Sequence, residues 1–142
     1  MNKKNLAYIL ISLGSIPFIF FAFLRILSFE KFFNLDINYI LAIYSLSIIS
    51  FICGSHWGIF LTNNNLKVNL FFLSNFLTIS SFFGILFLIT NYFFLLQILI
   101  LIALLLIDYY TYKQNITQKK YFYFRVLITT LVVVCLIIPV II

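Results

Sequence analysis

Five apolar stretches set the rhythm of the chain, with short polar segments between them. The first, 6–29, follows MNKKN; the second, 38–61, is closed by TNNNLK; the third covers 68–89. The pair Thr90-Asn91 is the only break before the fourth stretch, 92–110, and the fifth runs over 121–142. A bilayer core about 30 Å thick needs roughly 20 apolar residues per helix, and every stretch is of that order. Barrel strands would be about half as long and would alternate polar with apolar positions, which these stretches do not. The pattern predicts an all-α membrane protein, a bundle of five transmembrane helices in a single integral membrane domain over 1–142. Read as one helix, residues 68–110 would be about twice the bilayer's thickness at ~1.5 Å per residue. The third and fourth spans are therefore expected to fold back as a tight hairpin.

Composition closes off the soluble alternative. The 142 residues are 65% hydrophobic and only 8% charged, against about 25% charged in a soluble domain. Nine bases and three acids cannot cover a water-facing surface of this size. The net charge of +6 does not point to nucleic acid, because the bases sit between apolar runs, where topology signals belong. Cys53 and Cys135 fall inside apolar runs and read as small hydrophobes, with no disulfide framework. The first stretch is too long for a signal-peptide core and has no small-residue cleavage site, so it is expected to be retained.

The bases also orient the bundle. With five spans, Lys3, Lys4, Lys67, Lys113, Lys119, Lys120 and Arg125 fall on one side, and Arg25 and Lys31 on the other. This asymmetry predicts a cytoplasmic N-terminus, or one in an equivalent compartment, and a C-terminus outside. Tyr109, Tyr110, Tyr112, Tyr121 and Tyr123 then form an aromatic belt at the inner boundary.

Once the spans are oriented, their polar residues fall at one depth. At ~1.5 Å per residue from the inner boundary, His56 lies roughly 8 Å deep, Ser12 about 9 Å, Asn75 about 10 Å and Arg125 about 6 Å. Asp108 is expected near the boundary itself. The outer half is bare apart from Arg25 and Gln97. Helical phase sharpens the grouping: Ser74, Asn75, Thr78 and Ser81 share a flank, Gln97 and Asp108 share a face, and Arg125 aligns with Thr129. Since polar side chains in membranes face the bundle interior, a polar patch opening toward the inner surface is expected, with His56, Asn75, Asp108, Arg125 and Ser12 as candidate pocket residues. It reads either as a small-molecule pocket or half-channel, or as interhelical hydrogen bonding at about 0.6 kcal/mol per bond.

The stretch ISFICGSHWGIF sets the chain's one histidine and one tryptophan between two glycines. Ser47, Ser50, Gly54 and Gly58 form a narrow stripe of small residues that would let a neighbouring helix approach closely. His56 lies about 200° around the helix from each glycine, so the second span is expected to be central, with neighbours on both faces. His56 reads as a hydrogen-bonded structural histidine, with Asn75 a possible partner, or as a ligand-contacting or proton-responsive group. Trp57 reads as a packing or interface residue, or as a ligand contact. Haem ligation has no second histidine to use, and no carboxylate lies at the level of Cys53 and His56; no metal, cofactor or catalytic residue is expected. Ser55 and His56 are adjacent on a helix and point about 100° apart, so they cannot act as nucleophile and base. Pro17, with Gly14 just before it, removes a helical hydrogen bond near mid-membrane and predicts a kink. Asp108 and Arg125 flank the inner loop and can pair; alternatively Arg125 snorkels to lipid phosphate.

LGSIPF, SFICGSHWG and YFYFRVLITTLVVV, in that order, carry a resemblance. The chain resembles the family of small five-span membrane proteins of unknown function that includes transmembrane protein 69. Gly14, Pro17, Gly54, His56, Trp57, Gly58 and Arg125 carry the likeness. The resemblance implies a membrane bundle and no known activity. Its members occur in bacterial membranes and in mitochondria. The short N-terminus, with no transit peptide, places the expectation on a bacterial inner membrane, with the mitochondrial inner membrane as the alternative.

Three functions follow as expectations. The first is a non-enzymatic accessory or assembly component of a membrane complex, with the bilayer and other membrane subunits as partners. The second is a small transporter or a small-molecule- or lipid-binding protein that uses the polar pocket. The third, a membrane enzyme acting on lipid or isoprenoid, would need paired acids at a membrane face, and Asp108 stands alone there.

Overall fold

A computed structural model describes residues 3–63 and 66–141, with side chains from residue 6 onward. The side chains of Lys3 and Lys4, the loop residues 64–65 and the last residue of the fifth stretch lie outside the described residues. Among the described residues the chain forms five helices: α1 (Lys3–Ile26), α2 (Ile37–Thr62), α3 (Leu70–Phe87), α4 (Thr90–Lys113) and α5 (Lys119–Ile141). All five are long and apolar enough to cross a membrane. Successive helices run antiparallel, so the start of α1, the end of α2, the start of α3, the end of α4 and the start of α5 share one end of the bundle. That end carries most of the lysines and is called the Lys-rich end below.

The boundaries differ from the hydropathy reading by two or three residues at several ends, and two of these differences matter. The first helix stops at Ile26 rather than continuing to residue 29, because the next segment forms a short hairpin. Strands β1 (Lys31–Phe32) and β2 (Leu35–Asp36) pair antiparallel, Lys31 with Asp36 and Phe32 with Leu35. Phe33 and Asn34 make the turn at φ 48° and 64°, the left-handed pair that a two-residue hairpin turn requires. The Phe32 ring lies edge-on to Phe20 and Phe21, each with centroids 5.7 Å apart, and docks the hairpin on α1. Asp36 then caps α2: its Oδ1 accepts from the backbone N–H groups of Asn38 and Tyr39 at 2.7 and 3.1 Å.

The second difference is at α4, which continues to Lys113 instead of ending at Tyr110. Asn115 ends it in the left-handed conformation (φ 58°). The Asn115 N–H donates to the Tyr112 carbonyl at 2.9 Å, and the Ile116 N–H to the Thr111 carbonyl at 3.1 Å. This paired 5→2 and 6→1 closure is a Schellman cap. At the opposite end, α3 and α4 are joined by Leu88 and Ile89 alone, a tight hairpin whose turn precedes the expected break: Thr90 and Asn91 begin α4. Gly84 allows the close approach there: a Cβ on it would sit 2.6 Å from the Leu96 Cδ2 atom.

The helices form a ring in chain order, α1 against α2, α2 against α3 and onward, closed by α5 against α1 and braced by α2 against α4. Helices α2 and α4 therefore have three neighbours each and hold the centre. Ile49, Leu41, Leu104, Phe94 and Leu136 are fully buried there. The central position expected for α2 is observed, but the small-residue stripe does not produce it. Ser47, Gly54 and Gly58 are exposed on the outer surface and Ser50 is half-buried; beyond the local helix, no atom of the described residues lies within 4 Å of a Cβ built on Gly54 or Gly58. Among the described residues no helix packs closely on the two glycines of the stripe. The opposite face of α2, with Ser45, Ile49, Ile52, Cys53 and His56, is the buried one.

Candidate functional site

Three helices bring one charged or titratable group each to a single point. His56 is six residues from the end of α2, Asp108 five from the end of α4, and Arg125 six from the start of α5. At ~1.5 Å per residue all three start about 7.5–9 Å inside the Lys-rich end. Asp108 Oδ1 lies 3.0 Å from His56 Nε2, and Arg125 Nε donates to Asp108 Oδ2 at 2.9 Å. The residues are 0%, 2% and 6% exposed for His56, Asp108 and Arg125. A carboxylate only accepts, so Nε2 is the His56 donor. Each carboxylate oxygen thus serves a different helix, and Asp108 ties α2 to α5 through α4. The hairpin that delivers Asp108 and Arg125 is secured by Thr111, whose hydroxyl donates to the Asp108 carbonyl at 2.9 Å and lies 3.3 Å from the Thr117 hydroxyl.

The arrangement brings three of the five candidate pocket residues together. Asp108 and Arg125 pair, and His56 joins them. Asn75 does not: it is exposed on the outer side of α3, because it lies one residue, about 100°, off the buried row Ser74, Leu77, Ser81. The expectation that Asp108 stands at the boundary, with no carboxylate at the level of His56, is corrected, since the extension of α4 to Lys113 carries Asp108 inside the bundle. Ser12 is half-buried and donates to the Tyr8 carbonyl of its own helix at 3.0 Å. Trp57 is 40% exposed, with its ring edge-on to Phe71 at 5.1 Å, a packing contact between α2 and α3 at the lipid surface. Helix α1 passes through Pro17 as one element, and the Tyr44 hydroxyl of α2 donates to the Gly14 carbonyl at 2.9 Å.

Two buried polar atoms near the site have no partner among the described residues: His56 Nδ1 and Ser74 Oγ. Trp57 and Phe60 face Phe71 across the α2–α3 interface. That antiparallel register sets Ser74 at the level of His56. Further from the Lys-rich end, Ser81 and Gln97 form a second buried polar pair. The Ser81 hydroxyl lies 3.0 Å from Gln97 Oε1 and 2.9 Å from Nε2.

Beside the triad is a cavity of about 570 Å³ between α1, α2 and α5, with Leu101 of α4 among its walls. Helices α1 and α2 touch in the half away from the Lys-rich end, where the Tyr44 ring meets Phe18 with centroids 5.0 Å apart. Toward the Lys-rich end they part. Leu10 of α1 and Phe51 of α2 both line the cavity yet are 58% and 76% exposed, so the cavity opens sideways toward lipid. Its walls are mostly aliphatic, and Arg125 and Tyr121 stand at its Lys-rich end. The residues on α1 and α2 that form the mouth carry no charge, so hydropathy alone could not mark them. Tyr121 was legible only as part of the aromatic belt.

Among the described residues no group of three or more histidine, cysteine or acidic side chains is placed to hold a metal ion. Fold and site together define a multi-pass integral membrane protein with a buried His–Asp–Arg triad. More particularly, residues 3–141 match the family described as Protein of unknown function (DUF3429), and the chain belongs to that family. No curated protein and no solved structure matches the chain.

Proposed function

We propose that the protein is a non-enzymatic binding protein that takes a small lipid-like molecule from the membrane into the cavity between α1, α2 and α5. The observation that carries this reading is the cavity itself: about 570 Å³, apolar, open to the side and ended by a buried guanidinium. Ligand pockets are mostly apolar clefts of about 300–1,000 Å³ with a few placed polar groups. Binding is favoured over catalysis because Asp108 has both oxygens engaged, by His56 and Arg125, and among the described residues the other acids, Glu30 and Asp36, lie at the opposite end of the bundle.

A second reading, an accessory component of a membrane complex, draws support from the outer face of α2. Ser47, Gly54 and Gly58 lie open there, with the spacing that receives a helix at close range. One experiment separates the two. After extraction into nanodiscs without harsh detergent, native mass spectrometry is expected to show the chain with a bound lipid-sized molecule, absent from the Ile48→Trp variant that fills the cavity. A stoichiometric protein partner would favour the second reading, and a bare chain would overturn both.

The Lys-rich end is proposed to face the cytoplasm or an equivalent compartment. Lys67, Lys113, Lys119 and Lys120 lie in or beside its short loops, within the range over which basic residues set topology. In a Cys53→Ser, Cys135→Ser background, an impermeant maleimide added to intact cells should label Phe33→Cys and leave Asn115→Cys unmodified. The reverse pattern would invert the bundle.

A further inference from the structure

Arg125 has five N–H donors in a planar fork, and the triad uses one of them. Nε donates to Asp108 Oδ2. Among the described residues neither Nη1 nor Nη2 donates to a protein acceptor, although the residue is 6% exposed. Neither terminal nitrogen is fully enclosed, so both keep some accessible surface, and Arg125 is one of the residues that line the cavity.

Among the described residues no acidic side chain lines the cavity to neutralise this edge. Its two serines are occupied within their own helices, Ser15 donating to the Ser12 carbonyl and Ser55 to the Ile52 carbonyl, each at 2.7 Å. Asp108 lies on the Nε side of the guanidinium. What remains is the Nη1/Nη2 edge, which matches two oxygens of a carboxylate or phosphate, in a site of low polarity where such a bond is strong.

The direction of the cavity adds a second constraint. Arg125 and Tyr121 stand near the Lys-rich end, and the walls continue through Ile128 and Val132 on α5 and Ile48 on α2 toward mid-membrane. A molecule with its charge on Arg125 would extend an apolar tail inward, the same orientation as a lipid of the leaflet at that end. The sideways mouth between Leu10 and Phe51 lets such a molecule enter without leaving the bilayer.

We infer that the cavity binds an amphiphile with an anionic headgroup, carboxylate or phosphate, held on the Nη1/Nη2 edge of Arg125, with one apolar chain along α5 and α2. This inference rests on the proposed binding function and adds the ligand's charge and orientation. The protein in phosphatidylcholine nanodiscs is titrated with radiolabelled hexadecyl phosphate and with hexadecanol, which share a chain and differ in charge. Saturable binding of the phosphate at least about tenfold tighter than the alcohol is expected, as a charge-assisted hydrogen bond provides. Arg125→Gln should remove that difference and leave the weaker binding of both. Ile128→Trp, which narrows the cavity and keeps the triad, should weaken both probes.

Equal saturable binding of the two probes would overturn the anion site while leaving the cavity as a binding site. Saturable binding of neither would overturn both readings, and this comparison needs only the unaltered protein. Where the phosphate is preferred, competition by phosphatidylglycerol in the nanodisc assigns the anion to a membrane phospholipid, and lack of competition assigns it to a free single-chain anion. Both of those results support the site and differ only in the source of its ligand.

Discussion

Asp108→Ala is expected to lower stability by about 3–5 kcal/mol, the usual effect of removing one partner of a buried ion pair. The reason lies in what is left behind. The Arg125 guanidinium would remain in the bundle interior without its carboxylate partner. His56 Nε2 would lose its acceptor at the same time, which leaves both ring nitrogens unpartnered, since Nδ1 already has none among the described residues. Because charge separation in a low dielectric is costly whereas an uncharged replacement is not, the double variant Asp108→Leu, Arg125→Met should recover most of the loss. Reversible unfolding in mixed micelles measures both. A double variant as damaged as the sum of its single changes would show that the pair is not energetically coupled, and the triad would then be a coincidence of packing.

The triad was half legible in the sequence, and the missing half has a physical cause. The fourth apolar run ends at residue 110, which puts Asp108 at the membrane boundary. The helix does not stop where the apolar run stops. Tyr109, Tyr110 and Tyr112 carry it to Lys113, and Asn115 in the left-handed region closes it. An asparagine two residues past the last helical residue is a recognisable stop signal, and counting from it places Asp108 level with His56 and Arg125. Asn75 failed for a different reason. Sharing a flank loosely with Ser74 and Ser81 is not enough, because one residue of offset turns a side chain by about 100° and takes it from the interior to the lipid. The stripe from Ser47 to Gly58 illustrates a third limit. Small residues at helical spacing state that a close approach is permitted, and say nothing about whether the approaching surface belongs to the same chain. By contrast, five spans follow from length and apolarity alone, which no local detail overrides in a bilayer. The hairpin at 31–36 has two-residue strands, too short for any alternation to register.

The pair formed by Ser81 and Gln97 should respond asymmetrically to substitution. Both residues are 0% exposed, and they face each other across the α3–α4 hairpin. Ser81→Ala is expected to destabilise by about 1–3 kcal/mol, the range for leaving a buried polar group unsatisfied. The Gln97 amide carries two donors and an acceptor, and among the described residues its side-chain partner is the Ser81 hydroxyl across the hairpin. Hydrogen bonds between membrane helices average only about 0.6 kcal/mol, largely because the separated helices also find partners. A fully enclosed amide in the assembled bundle has no such alternative, so the native-state term dominates here. Gln97→Leu is the milder change, within about 0.5 kcal/mol, since a serine hydroxyl freed in a helix turns back to the carbonyl four residues earlier, here that of Leu77. The same unfolding assay on both single variants decides the matter: equal losses would mean that the contact contributes only its packing, and a larger loss for Gln97→Leu would reverse the assignment of which partner depends on the other.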